Sequence, residues 1–346
     1  MGKKMFDFVI GNPPYQSEKD DNERKPPIYH LFMDACYEVS DKVELITPAR
    51  FLFEAGQTPK AWNEKMLHDP HLKILSYEQV SSAVFDNTDI KGGVAISYRD
   101  KSKNFGAIEA FTSYRELESI LHKVINKYSG TFKGLNTIVS NRGLYRFSEE
   151  FYVAFPEAKN AVGKGTANMI VSNIFDKLPD VFSEDRIMDG EAVKILGRKN
   201  NKRVFLPIEK KYVLDNEYLL TYNVVVPESN GSGAIGEVLS TPLIGHPLIG
   251  HTDTFLSIGM FDNYGEANNL LKYIKTKFAR CMLGIKKATQ HNPASTWKYV
   301  PMQDFTDSSD IDWSKSIHEI DLQLYKKYGL DDEEIAFIEE KVEEME

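Results

Sequence analysis

An apolar run of strand type, Phe6, Phe8, Val9 and Ile10, stops abruptly at Gly11-Asn12-Pro13-Pro14-Tyr15. Val and Ile favour a strand, and Gly11 permits backbone geometry that other residues resist. Two successive prolines fix φ and remove two backbone donors. Pro13 pushes Asn12 into an extended conformation, and Pro14 does the same to Pro13. The segment therefore predicts a strand that runs into a stiff, extended loop. That loop presents one amide side chain, carbonyls with no competing N–H at the prolines, and one aromatic ring.

This combination suits one chemical task. An exocyclic amine on a heterocycle is a poor nucleophile, because its lone pair is delocalised into the ring. Two acceptors, the Asn12 side-chain oxygen and the Pro13 carbonyl, can bind both amine hydrogens and aim the nitrogen lone pair at an electrophile. Tyr15 can stack on the ring, a contact worth about 1–3 kcal/mol per base. Such a site works by orientation and by stabilising developing positive charge.

Asn12-Pro13-Pro14-Tyr15 after an apolar strand resembles the catalytic motif of S-adenosylmethionine-dependent amino-group methyltransferases. It is most similar to that of the DNA adenine-N6 methyltransferases of type II (type IIG-like) restriction–modification systems. Two further segments carry the resemblance. Val43–Pro48 reads as the strand that follows the catalytic loop, and Val84–Tyr98 looks like the closing hairpin of the same domain. The resemblance implies that Asn12, Pro13, Pro14 and Tyr15 are catalytic and that Phe85 packs on a flipped target adenine. It implies double-stranded DNA as partner and S-adenosylmethionine as methyl donor. The C-terminal part resembles the target-recognition region of the same enzymes. There the match runs from Phe255-Leu256-Ser257-Ile258-Gly259 to Thr289-Gln290-His291-Asn292-Pro293, then Trp297–Pro301, and on through Asp312-Trp313 to Leu330.

Strands alternating with helices predict an α/β fold with a parallel, doubly wound sheet. A helix is expected after Pro27, with Ile28, Leu31, Phe32, Ala35, Cys36 and Val39 at helical spacing. His30, at its start, reads as a structural histidine rather than a base. The polar segment from Gln16 to Pro27 reads as a mobile loop. The expected architecture is the C-terminal half of a Rossmann-like methyltransferase sheet plus a mixed α+β target-recognition domain. Its expected limits are residues 1–125, 126–302 and an acidic helical tail over 303–346.

The family's cofactor site needs a glycine-rich strand-to-helix turn ahead of the catalytic loop. Eleven residues precede Asn12 and hold no such turn. The cofactor site is therefore expected to come from a preceding region or a partner subunit, and the chain alone is expected to bind the methyl donor weakly.

The net charge of −9 runs against a DNA partner until it is located. Residues 303–346 hold seven Asp, eight Glu and four Lys, a net of −11, which leaves the rest at +2. Basic residues gather in two stretches. The DNA-facing candidates are Arg198, Lys199, Lys202 and Arg203 from the first, and Lys286, Lys287, Gln290 and His291 from the second. No stretch is long and apolar enough to span a membrane, and the N-terminus carries no cleavage-site pattern. Cys36 and Cys281 form neither a disulfide framework nor a metal spacing, which fits a cytoplasmic location with no metal. No nuclease signature is present.

Two rival readings compete. One is a methyltransferase acting on a protein glutamine, which shares the tetrapeptide but usually lacks a long C-terminal region. The other is a non-catalytic DNA-binding or specificity fragment with a relic loop.

Overall fold

The computed structural model describes residues 4–17, 26–54, 57–86, 88–90, 92–108, 110–112, 114–128, 130–163, 165–166, 168–287 and 289–345. Most of the loop expected over Gln16–Pro27 lies outside the described residues. The chain divides into two compact units, Met1–Arg115 and Glu116–Glu346. The boundary expected at 125/126 falls inside helix α3 (Arg115–Lys127).

The first unit is built on β1 (Val9–Gly11), α1 (Tyr29–Val39), β2 (Lys42–Pro48), α2 (Lys60–Leu67), β3 (Leu72–Glu78) and β4 (Val94–Asp100). Its sheet has the order β1-β2-β4-β3. β1 and β2 are parallel, with Val9 opposite Val43 and Gly11 opposite Leu45, as a connection through a helix requires. The expected parallel sheet is otherwise overturned: β4 runs antiparallel to both β2 and β3. The cause is the link between β3 and β4. Among the described residues of 79–93 there is one short 3₁₀ turn, Ser81–Ala83, and no crossover helix to restore the strand direction.

The core of this unit joins Val43 and Leu45 of β2 to Leu72, Ala95, Phe51, Trp62, Met66 and Leu67. Helix α1 contributes Tyr29 and Met33 to it. This is not the face anticipated from Ile28, Leu31, Phe32, Ala35, Cys36 and Val39. Apolar residues cover more than one side of α1, and the side carrying Leu31 and Phe32 is left exposed. β1 is the outermost strand, and Ile10 on it is 71% exposed.

The second unit contains α3, α4 (Glu149–Ala154), α5 (Ala158–Val162), α6 (Ile174–Lys177), β5 (Ala192–Lys199), β6 (Lys202–Glu209), β7 (Tyr222–Pro227), β8 (Leu243–Gly245), β9 (Ile249–His251) and β10 (Phe255–Phe261). It continues through α7 (Tyr264–Lys275), α8 (Lys277–Gly284), α9 (Ile317–Tyr328) and α10 (Asp332–Lys341). Two three-stranded sheets form, β10-β7-β8 and β6-β5-β9. An aromatic core around Phe147, Phe151, Phe175 and Phe182 packs with Ile195 of β5 and Ile208 of β6.

The acidic tail does not stand apart from this unit. Asp321 of α9 accepts hydrogen bonds from the first two backbone amides of α8, at 3.0 Å from Lys277 and 2.8 Å from Phe278. Lys123 of α3 lies 2.9 Å from Asp331 and 2.7 Å from Glu334. Lys277 lies 2.6 Å from Glu339. Two cations from outside the tail, Lys123 and Lys277, thus pair with three of its acids.

Candidate active site

The apolar run ends in a strand at Gly11, and Asn12-Pro13-Pro14 follow with no regular structure. Asn12 and Pro14 are exposed, and Pro13 is half-buried. The Asn12 amide makes no hydrogen bond among the described residues, so both its oxygen and its nitrogen remain available. The chain is closed behind the loop by a short antiparallel ladder. The Ile28 N–H donates to the Tyr15 carbonyl at 3.1 Å, and the Ser17 N–H donates to the Pro26 carbonyl at 3.1 Å.

Tyr15 is half-buried and its hydroxyl has no partner among the described residues. Burial pushes the phenol up to about 12, so it stays neutral at physiological pH. Its ring meets Phe85 edge to face, at a centroid separation of 6.5 Å. A heterocycle inserted between two parallel rings needs two contacts of about 3.5 Å each. The tilted pair therefore offers no slot between its members, and a base must use the other face of Tyr15 or displace Phe85.

Phe85 is set by a loop organised on Ser81, a residue not singled out in the sequence. The Phe85 N–H donates to the Ser81 carbonyl at 2.9 Å. The Ser81 hydroxyl accepts from the Ile90 N–H at 2.8 Å and donates to the Thr88 carbonyl at 3.0 Å. Only a serine in a turn-rich stretch marks it in the sequence, and that signal is weak. Thr47, near the C-terminal end of β2, is a second such residue. It is fully buried, on the strand paired with β1, and its hydroxyl has no partner among the described residues.

His30 lies beside the loop, its ring 5.5 Å from that of Trp62. Burial holds its imidazole below the ordinary range, against the pull of Asp34. Gly93 closes the strand end nearby. Its φ is +74°, and an added Cβ would stand 2.3 Å from the Glu78 carbonyl oxygen. Its own carbonyl accepts from the Ala49 N–H at 3.0 Å.

The two basic stretches differ in kind. Arg198, Lys199, Lys202 and Arg203 flank the tip of the β5–β6 hairpin. Expected to face DNA, Lys287 is instead buried: its ammonium lies 3.0 Å from Glu237 and donates to the Asn230 carbonyl at 2.8 Å. His291 is exposed, with Nδ1 3.1 Å from a Glu228 carboxylate oxygen. Gln290 is exposed, and its carbonyl accepts from the Asn230 N–H at 2.7 Å. Lys286 lies 5.7 Å over the Tyr299 ring. Among the described residues no group of three or more His, Cys, Asp or Glu could hold a metal, and no helix is long and apolar enough to cross a membrane.

Residues 1–85 match the family described as Eco57I restriction-modification methylase. The matched segment runs from before the Asn-Pro-Pro-Tyr loop to Phe85. A search of curated proteins returns no match. Among solved structures, the type IIG restriction endonuclease BpuSI is similar at 11% identity and a TM-score of 0.35. That likeness covers 92% of this chain and 48% of that one, so the chain spans about half the length of the protein it matches.

Proposed function

We propose that the first unit is the amine-presenting half of a DNA adenine-N6 methyltransferase belonging to a restriction–modification system. The observation that carries the reading is an Asn12 amide left exposed and unbonded at the end of a strand, beside the half-buried Tyr15 ring. The similarity of residues 1–85 to restriction-modification methylases supports it.

In this reading a target adenine is swung out of duplex DNA. The Asn12 oxygen and the Pro13 carbonyl each accept one hydrogen of its N6 amine. Nitrogen so held loses conjugation with the ring and gains a directed lone pair. As the N–C bond forms at the expense of the donor's methyl–sulfur bond, the amine becomes cationic, the two oxygens stabilise that charge without reorganising, and one amine proton then leaves to solvent. The stiff proline pair keeps the acceptors in place before substrate arrives. The base stacks on Tyr15, whose neutral phenol adds no charge to the pocket.

S-adenosylmethionine is the methyl donor this reaction requires, and the glycine-rich turn expected of its site is missing between Lys4 and Ser17. Gly11 is the only glycine from Lys4 to Ser17, and β1 is an edge strand with no glycine-rich turn beside it. Donor binding is accordingly assigned to a preceding region or to a partner subunit.

The test is methyl transfer by the complete enzyme, with duplex DNA and a protein glutamine amide offered as competing acceptors. Transfer to DNA that is lost in Asn12→Ala supports the reading. Transfer to the protein amide establishes the glutamine rival. DNA binding without transfer to either acceptor establishes the specificity-fragment rival.

A further inference from the structure

The hairpin of β5 and β6 carries a charge arrangement that its own folding does not favour. Arg198 stands directly opposite Arg203, and Lys199 directly opposite Lys202. Like charges in directly opposed positions destabilise a hairpin. Side chains alternate along a strand, so one pair lies on each face of the ribbon. Arg198 and Lys202 are exposed, and none of the four cations forms an ion pair among the described residues.

The turn between them is built to be stiff. Asn200 and Asn201 adopt φ values of 50° and 60°, the left-handed pair that a two-residue primed turn demands. β9 pairs with β5 only from Lys194 to Leu196, so beyond Leu196 the hairpin continues as a two-stranded ribbon. Arg203 braces one flank of it by donating to the Ser240 carbonyl at 2.6 Å, and its guanidinium lies 5.3 Å over the Phe255 ring. The Arg198 guanidinium donates to the Asn201 carbonyl at 3.3 Å and otherwise points no donor at a protein acid.

From this geometry we infer that the β5–β6 tip inserts into the major groove of duplex DNA. There the phosphates of one strand neutralise the Lys199–Lys202 pair on one face of the ribbon, and those of the other strand meet Arg198 on the opposite face, where Arg203 stays docked on the Ser240 carbonyl and the Phe255 ring. A ribbon of two strands spaced about 4.8 Å apart fits a groove about 12 Å wide. A single-sign cluster on both faces suits a partner with negative charge on both sides. The amides of Asn200 and Asn201 arrive first and meet base edges, where an amide can donate to and accept from adenine at once. The inference rests on duplex DNA being the substrate of the proposed enzyme.

The experiment is binding of the full chain to a generic 30-base-pair duplex, read by fluorescence anisotropy across a salt series. Wild type and the double variant Lys199→Gln/Lys202→Gln are compared, with thermal melting of each without DNA. The double variant is expected to flatten the slope of log affinity against log salt by about two units. It should also weaken binding about tenfold or more and melt no lower than wild type, because a like-charge pair has been removed. A double variant with unchanged slope overturns the hairpin's role, whatever Asn12→Ala does to methyl transfer. Wild-type preference for single-stranded RNA over the duplex overturns it as well. Loss of methylation in Asn12→Ala tests the enzymatic reading separately.

Discussion

Tyr15 and Phe85 meet with their ring planes inclined at 67° and their centroids 6.5 Å apart. Sixty-nine residues of sequence lie between them, and the loop ordered by Ser81 brings them together. Because the Tyr15 hydroxyl has no partner among the described residues, the ring is the part that matters. Tyr15→Phe is expected to keep kcat/KM for methyl transfer within a factor of about three. Tyr15→Ala should lower it roughly 5- to 150-fold, the range set by a base–aromatic stack. Steady-state kinetics of the complete enzyme check both. Equal losses in the two variants would give the hydroxyl a role denied here.

Gly93→Ala is expected to destabilise the first unit. The new Cβ would meet backbone, at 2.3 Å from the Glu78 oxygen and 2.8 Å from Gln79 Cα, and φ is positive there. Left-handed strain alone costs about 1–3 kcal/mol. A fall in Tm of about 5 °C or more follows for a unit of this size. An unshifted melting curve would mean that β3 and β4 do not approach at Gly93 as described.

Glu237 gives the second unit a defined acid response. Burial alone would raise its carboxyl. Hydrogen bonds from the Ser232 hydroxyl, the Ser232 and Gly233 amides and the Lys287 ammonium outweigh that and hold it at about 2, below its ordinary 4.5. The folded-state value is depressed, so the stabilisation is complete above about 4.5 and is lost as pH falls towards 2. Glu237→Gln should remove about 1–2 kcal/mol at neutral pH and flatten stability across that window. Denaturant melts at pH 7, 4 and 2.5 measure it. An unchanged pH profile in Glu237→Gln would show that the carboxylate is not held as described.

Asp321 caps α8 from a neighbouring helix, accepting from the amides of Lys277 and Phe278. Asp321→Ala leaves two helix-terminal donors without an acceptor. A loss of about 1–3 kcal/mol is expected, and less in Asp321→Asn, which keeps one acceptor oxygen. Equal denaturant midpoints for the two variants would show that the cap contributes nothing.

The local grammar of the first strand and its proline-braced loop was readable, because both follow from neighbours in sequence. β1 ends at Gly11 and the loop leaves Asn12 exposed, as Gly-Asn-Pro-Pro dictates. The direction of β4 was not readable, since it depends on a connection whose described residues form no crossover helix. The buried face of α1 was misread, because Tyr29 and Met33 compete with Leu31 and Phe32 for the interior. Lys287 looked like a surface cation because its partner Glu237 lies fifty positions away. The hairpin tip was visible as a basic cluster, but its like-charge pairing depends on register, which composition does not carry.

The most direct test of the central claim uses the native gene. Asn12→Ala is introduced at the chromosomal locus, and adenine methylation across the genome is mapped by single-molecule sequencing before and after. The account predicts that N6-methyladenine disappears from one sequence motif and persists at all others. Retention of every methylated motif in the mutant would contradict it.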